Sequence, residues 1–175
     1  MDGRISYWLI PAEPHRSEFR KAIFNLAQRF DGPVFEPHVT LYSGSEGTNE
    51  VENVLARATA GLSEIELRTA GIGHSDQFTK TLFLRLEPCE VLVQLSNELK
   101  RSSIGADDYT LIPHLSLLYA LVESAVRVRL VDEVKFASLV RFDEVQAVDT
   151  GARNESRADV EQWLLIGRRQ LRSAR

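Results

Sequence analysis

Apolar positions recur every three to four residues across 14–30, where Phe19, Ile23, Leu26, Ala27 and Phe30 fall on one helical face before Asp31, Gly32 and Pro33 break the pattern. A second helical stripe, Val91, Leu92, Leu95 and Leu99, follows Pro88 and is expected to end near Gly105. The stretch from Glu123 to Ala137 also reads as helical, as does the segment after the loop SGSEGTNE, which Thr48 or Asn49 could cap. Between these segments lie β-rich runs: ISYWLIPAE near the start, PHVTLYS, the pair EIELRTAGIGH and FTKTLFLRLE joined by the turn SDQ, TLIPHLSLLYA, and the final pair LVRFDEVQAVDTG and DVEQWLLIGRRQL. The paired runs are joined by connections too short for parallel crossovers. The pattern therefore predicts an α+β fold of antiparallel sheets with helices outside, arranged as two similar halves about a central groove.

Length and composition narrow the class further. A chain of 175 residues is expected to fold as one two-lobed domain over 1–175, large enough to form a core without disulfides or metal. An apolar fraction of 43% and a charged fraction of 26% are those of an ordinary globular protein, and a net charge of -4 offers no broad basic face for duplex nucleic acid. Cys89 is the single cysteine, which excludes an internal disulfide and suits a reducing compartment. No apolar run approaches the length of a membrane span, and the N-terminus lacks a leader pattern. A cytoplasmic monomer with no membrane partner is expected.

Two of the four histidines sit in nearly the same phrase, PHVTL at 37–41 and PHLSL at 113–117. On a strand, residues two apart share a face, so His38 pairs with Thr40 and His114 with Ser116, while Val39 and Leu115 point the other way. A lone histidine after proline is usually a structural residue with its ring nitrogens satisfied. Two matching imidazole-hydroxyl pairs far apart in the chain point instead to two halves of one site. Imidazoles can divide acid and base work near neutral pH, and hydroxyls can donate to the oxygens of a charged intermediate. That set fits in-line attack at phosphorus. Neither phrase carries a second ligand at metal spacing, and no G-x-S-x-G surrounds the hydroxyls. His74 lacks the hydroxyl two positions on, and His15 sits where a helix is expected to begin, so neither needs a special role.

These paired phrases, together with YWLIP, DGPVFEPHVTL, LIPHLSLLYA and EQW, resemble the two-histidine phosphoesterase superfamily, and within it the plant-type cyclic phosphodiesterase branch. The resemblance spans most of the chain. It implies a pseudo-twofold α+β fold, no cofactor or metal, and a small nucleotide cyclic phosphate as substrate: a 2′,3′-cyclic nucleotide opened to a 2′-phosphate, or the cyclic phosphate of ADP-ribose. Carried over residue by residue, His38 and His114 become the acid-base pair, and Thr40 and Ser116 the phosphate donors. His114 is assigned to activating water and His38 to protonating the departing oxygen. Trp8 matches an aromatic groove position on which a base or sugar could pack. Tyr119 matches a family tyrosine, although a straight strand would turn it away from His114. Phe78 and Lys80 could reach the groove but read more simply as solvated hairpin residues, and Trp163 as strand core. An enzyme acting on the 2′,3′-cyclic phosphate end of RNA would use the same four residues, as would the remains of one in an inactive nucleotide-binding module. The first would need a basic track that the acidic chain does not suggest.

Overall fold

The structure is a computed structural model that describes residues 4–45, 50–102 and 109–173. In chain order it contains β1 (Arg4–Pro11), α1 (His15–Phe30), β2 (Val39–Ser45), α2 (Val51–Ala58), β3 (Ile65–His74), β4 (Leu82–Leu86), α3 (Glu90–Ser102), β5 (His114–Leu118), α4 (Ser124–Glu133), β6 (Leu139–Asp149), α5 (Arg157–Glu161) and β7 (Leu164–Gln170). The strands form a seven-stranded sheet in the order β1-β2-β5-β4-β3-β6-β7, with β1 also paired to β6. Every pairing between these strands is antiparallel. The α+β class is as the patterns predict.

Exchanging β1, β2 and β3 with β4, β5 and β6 maps the pairing scheme onto itself. The β1–β2 pair maps onto β4–β5, β1–β6 maps onto β4–β3, and β2–β5 and β3–β6 map onto themselves. Only β7 lies outside this twofold relation. The halves meet through four residue pairs between β3 and β6 but through a single pair between β2 and β5, Val39 with Leu115, so the sheet is nearly parted where the two histidine phrases touch. Both central residues are fully buried, which anchors the contact in apolar packing rather than in a long hydrogen-bonded ladder. The largest core cluster fills the space beneath, joining Ile5, Tyr7 and Leu9 of β1 to Leu41, Leu117 and the inner faces of α1 and α3.

Several elements differ from expectation. Phe78–Lys80 form a 3-10 turn, and β4 starts only at Leu82, because Thr81 turns inward and its hydroxyl donates to the Ala120 carbonyl at 2.6 Å. The segment read as one long final strand divides: Arg157–Glu161 are helical, started by a capping box between Ser156 and Asp159, and the strand follows from Leu164. In α3 the buried face is Leu92, Leu95, Ser96 and Leu99, whereas Val91 is 41% exposed. Ser96 replaces it on the inner face because its hydroxyl donates to the Leu41 carbonyl at 2.6 Å, tying α3 to β2. The caps expected at Thr48 or Asn49 and the stop near Gly105 lie outside the described residues.

Candidate active site

The groove side of the sheet carries alternate residues of the strands. An antiparallel register through Val39 and Leu115 sets His38 across from Ser116 and Thr40 across from His114. The two histidines are then diagonal neighbours, a relation that sets residues roughly 7–8 Å apart with their Cβ atoms somewhat closer. All four side chains line one cavity of about 170 Å³.

Each ring is held in the same way. His38 Nδ1 lies 2.6 Å from the Glu36 carbonyl and His114 Nδ1 lies 2.7 Å from the Ile112 carbonyl, in each case the residue before the proline. Pro37 and Pro113 hold that preceding residue extended, which keeps its carbonyl beneath the ring. A carbonyl only accepts, so Nδ1 carries the proton and Nε2 is left as the working nitrogen on both rings. The Glu36 side of the loop is fixed further by α1: Arg16 Nε donates to its carboxylate at 2.6 Å, and Arg20 grips both oxygens at 2.8 to 3.0 Å.

The matching extends to the adjacent strands. Thr40 is paired with Trp8 on β1 and Ser116 with Phe83 on β4, and each aromatic ring packs on the histidine of its own half. Here the halves diverge. Trp8 lies flat on His38, with centroids 3.8 Å apart and planes within 11°, while Phe83 meets His114 edge-on at 5.6 Å. His38 is only 6% exposed, and His114 is partly open. Burial accordingly holds His38 down to a pKa of about 4, against the Glu36 hydrogen bond and with a smaller push from His114. His114 is lowered too, first by burial and also by the Lys80 charge. Both imidazoles are thus neutral at pH 7.

The hydroxyls differ as well. Thr40 Oγ1 makes no hydrogen bond among the described residues. Ser116 Oγ donates to the Thr79 carbonyl at 2.9 Å, and Tyr119 lines the same cavity. Tyr119 reaches the cavity because β5 ends at Leu118, which supplies the bend that a straight strand lacks. Its ring is stacked on Phe35 at 3.8 Å, and burial raises its phenol well above the usual range. Ser6, Ser43 and Thr150 add further hydroxyls, and the described residues lining the cavity include no carboxylate. Such a wall suits an anion.

Trp8 lines the cavity as expected, but one face of its indole is covered by His38 and its edge meets Trp163 at 5.3 Å. Base packing on that covered face is replaced by support of an imidazole. Trp163, read as strand core, instead precedes β7, lines the cavity and donates from Nε1 to Asn154 Oδ1 at 2.8 Å. The quoted EQW was the only hint of it. Phe78 packs against Tyr119, and Lys80 Nζ stands 4.7 Å over the Phe83 ring, so neither is a solvated hairpin residue. Among the described residues no group of three or more His, Cys, Asp or Glu could hold a metal ion.

Residues 1–171 match the family described as cyclic phosphodiesterase-like protein. The chain belongs to that family. With it comes membership of the two-histidine phosphoesterase superfamily. A cyclic phosphodiesterase of Arabidopsis thaliana is 28% identical over 116 residues, which cover 66% of this chain and 64% of that one. The fold recurs in Escherichia coli LigT complexed with 3′-AMP (TM-score 0.61, 18% identity, covering 97% of this chain and 98% of that one). It recurs also in a Thermus thermophilus protein (TM-score 0.64, 16% identity, 98% and 100% covered). Within the cyclic phosphodiesterase-like frame, the paired histidines and hydroxyls are the chemically equipped part of the groove.

Proposed function

We propose that the protein is a cyclic phosphodiesterase that opens nucleoside 2′,3′-cyclic phosphates to 2′-phosphates, with the cyclic phosphate of ADP-ribose in the same substrate class. The observation that carries this reading is the convergence of two Nε2 atoms and two hydroxyls on one cavity with no carboxylate among its described lining residues. Family membership supports it.

The division of labour follows from the asymmetry of the halves. His114 is the more open to solvent, and partial burial with the added Lys80 charge keeps it neutral, so its Nε2 lone pair takes a proton from the attacking water. His38 must instead become imidazolium. A phosphate anion about 4 Å away at an effective dielectric of about 20 is worth roughly 4 kcal/mol, or roughly three pKa units. That offsets the depression of His38 to about 4. The indole face of Trp8 favours the same cation. His38 is thereby charged only when an anion is bound.

As water adds to phosphorus, the P–O3′ bond breaks and the Nε2 proton of His38 passes to O3′. The 2′-phosphate remains. Thr40 donates to a non-bridging oxygen, and Ser116 does so by exchanging the Thr79 carbonyl for phosphate. Both proton transfers are assigned to imidazoles, so no step as written calls for a metal.

Phosphorus NMR of 2′,3′-cyclic AMP incubated with the protein and EDTA tests the reading. A 2′-phosphate product that forms undiminished in chelator is expected. A 3′-phosphate product, or loss of turnover with EDTA, would refute the route.

A further inference from the structure

One corner of the catalytic cavity differs from the rest of its wall. Ser6, Ser43 and Thr150 line it, and their hydroxyls are bonded to one another: Ser6 Oγ lies 2.8 Å from Ser43 Oγ and 3.3 Å from Thr150 Oγ1. The ends of this chain fix its direction. Thr150 Oγ1 donates to the Arg4 carbonyl at 3.0 Å, so its one proton is spent and it accepts from Ser6. Ser6 in turn accepts from Ser43, and Ser43 Oγ accepts from Arg4 Nε at 2.9 Å. The chain leaves the Arg4 guanidinium and returns to the Arg4 carbonyl with every hydroxyl proton committed. What the three oxygens still present to the cavity is lone pairs, which receive a proton donor rather than a phosphate oxygen.

The corner also has a definite place. β2 runs from His38 past Thr40, which stands across from His114, to Ser43, which is paired with Ser6 on β1. Ser43 is therefore on the strand beside β5, at the His114 end of the groove. The other half has no such corner. Thr81 precedes Phe83 by two residues, as Ser6 precedes Trp8, but it is buried, donating to the Ala120 carbonyl at 2.6 Å and accepting from the Ala120 N–H at 3.1 Å.

We propose that Ser43 holds the attacking water. One O–H of that water points to His114 Nε2 and the other to the Ser43 lone pair, which aims the water oxygen at phosphorus. The first proton passes to His114 as the new O–P bond forms and P–O3′ breaks, and the second stays on the oxygen. Ser6, Thr150 and Arg4 are positioning residues that keep the Ser43 proton turned away from the water. This rests on the cyclic phosphodiesterase reading for the reaction, while the water site has its own readout.

A crystal structure of the intact protein with inorganic phosphate, at a resolution that shows ordered water, reads the site directly. A water about 3 Å from both Ser43 Oγ and His114 Nε2 is expected. A phosphate oxygen on Ser43 Oγ, or no water joining the two groups, overturns the proposal whether or not the protein is active. Turnover supplies a second arm. Methanol carries a methyl group where water carries its second proton, so in water–methanol mixtures the parent should form the 2′-phosphate in preference to its methyl ester. Ser43→Ala should lower kcat on 2′,3′-cyclic AMP about tenfold with KM little changed, and raise the ester share about fivefold by phosphorus NMR. Ser43→Thr, which keeps the oxygen, should lose less. An ester share in Ser43→Ala equal to the parent's overturns the proposal. A bridging water in a protein that opens no cyclic phosphate would sink the activity and leave the water site standing.

Discussion

Stacking His38 flat on Trp8 withdraws the ring from water and at the same time gives a cation somewhere to rest. Burial makes the histidine difficult to charge by itself, and an anion beside it makes charging easier, the behaviour required of an acid that must not be protonated before substrate arrives. Removing either imidazole should lower kcat on 2′,3′-cyclic AMP by roughly 10²–10⁴-fold. The two losses should separate on a substrate with an activated leaving group: His38→Ala should recover rate there, and His114→Ala should not. Recovery by His114→Ala instead would reverse the roles. Tyr119→Phe deletes only the hydroxyl of a residue that lines the cavity with Ser116, so kcat should fall on the order of tenfold with KM little changed; an unaltered kcat would remove Tyr119 from the positioning of Ser116. At this scale the sequence was most informative, because His38, Thr40, His114 and Ser116 are spaced by a strand's period of two. Trp8 was legible as a groove aromatic but not as a support for His38, since ring-on-ring packing depends on the β1–β2 register.

Elements set the limits on how far these groups can move. The His114 half depends on Phe83, and Phe83 fits only because Gly73 faces it across the β3–β4 pair. A Cβ at Gly73 would lie 2.6 Å from the Phe83 ring, so that ring would have to shift against His114. Gly73→Ala should therefore cost on the order of tenfold in kcat while leaving the fold intact by circular dichroism. Full activity in that variant would show that Phe83 does not position the histidine. The helical and hairpin patterns identified most elements correctly, but local periodicity could not show where tertiary bonds cut in. Thr81 reaching Ala120 shortened β4, Ser96 bonding Leu41 displaced Val91 from the buried face, and the Ser156–Asp159 capping box turned the start of the last strand into a helix. Trp163 was misplaced for that last reason.

Across the whole molecule, the near-twofold pairing joins the halves along β3–β6 and at the one apolar β2–β5 contact, and leaves their polar residues around a shared cavity beside that contact. That arrangement has a thermodynamic signature. His38 titrates at about 4 in the folded chain against 6.5 for the ordinary side chain, so between those values the unfolded state binds a proton that the folded state does not. Stability should rise with pH across this window and fall by up to roughly 3 kcal/mol as pH drops from 6.5 to 4. His114, shifted the same way, steepens the loss. Denaturant midpoints of the parent and His38→Gln at pH 7 and pH 5 measure this: the parent should lose more stability on acidification, and equal losses would show that His38 is not held neutral by burial. Pseudo-symmetry was foreseeable from the repeated phrases, but the closing β1–β6 pairing was not, because no local pattern records which distant strands meet.

The most direct test is nitrogen-15 NMR of both imidazoles while inorganic phosphate is titrated into the protein. If two rings flank one phosphorus, the Nε2 signals of His38 and His114 will move together with a single dissociation constant, and the pKa of His38 will climb from about 4 toward neutrality. Movement of one ring alone, or two different dissociation constants, would contradict a shared site.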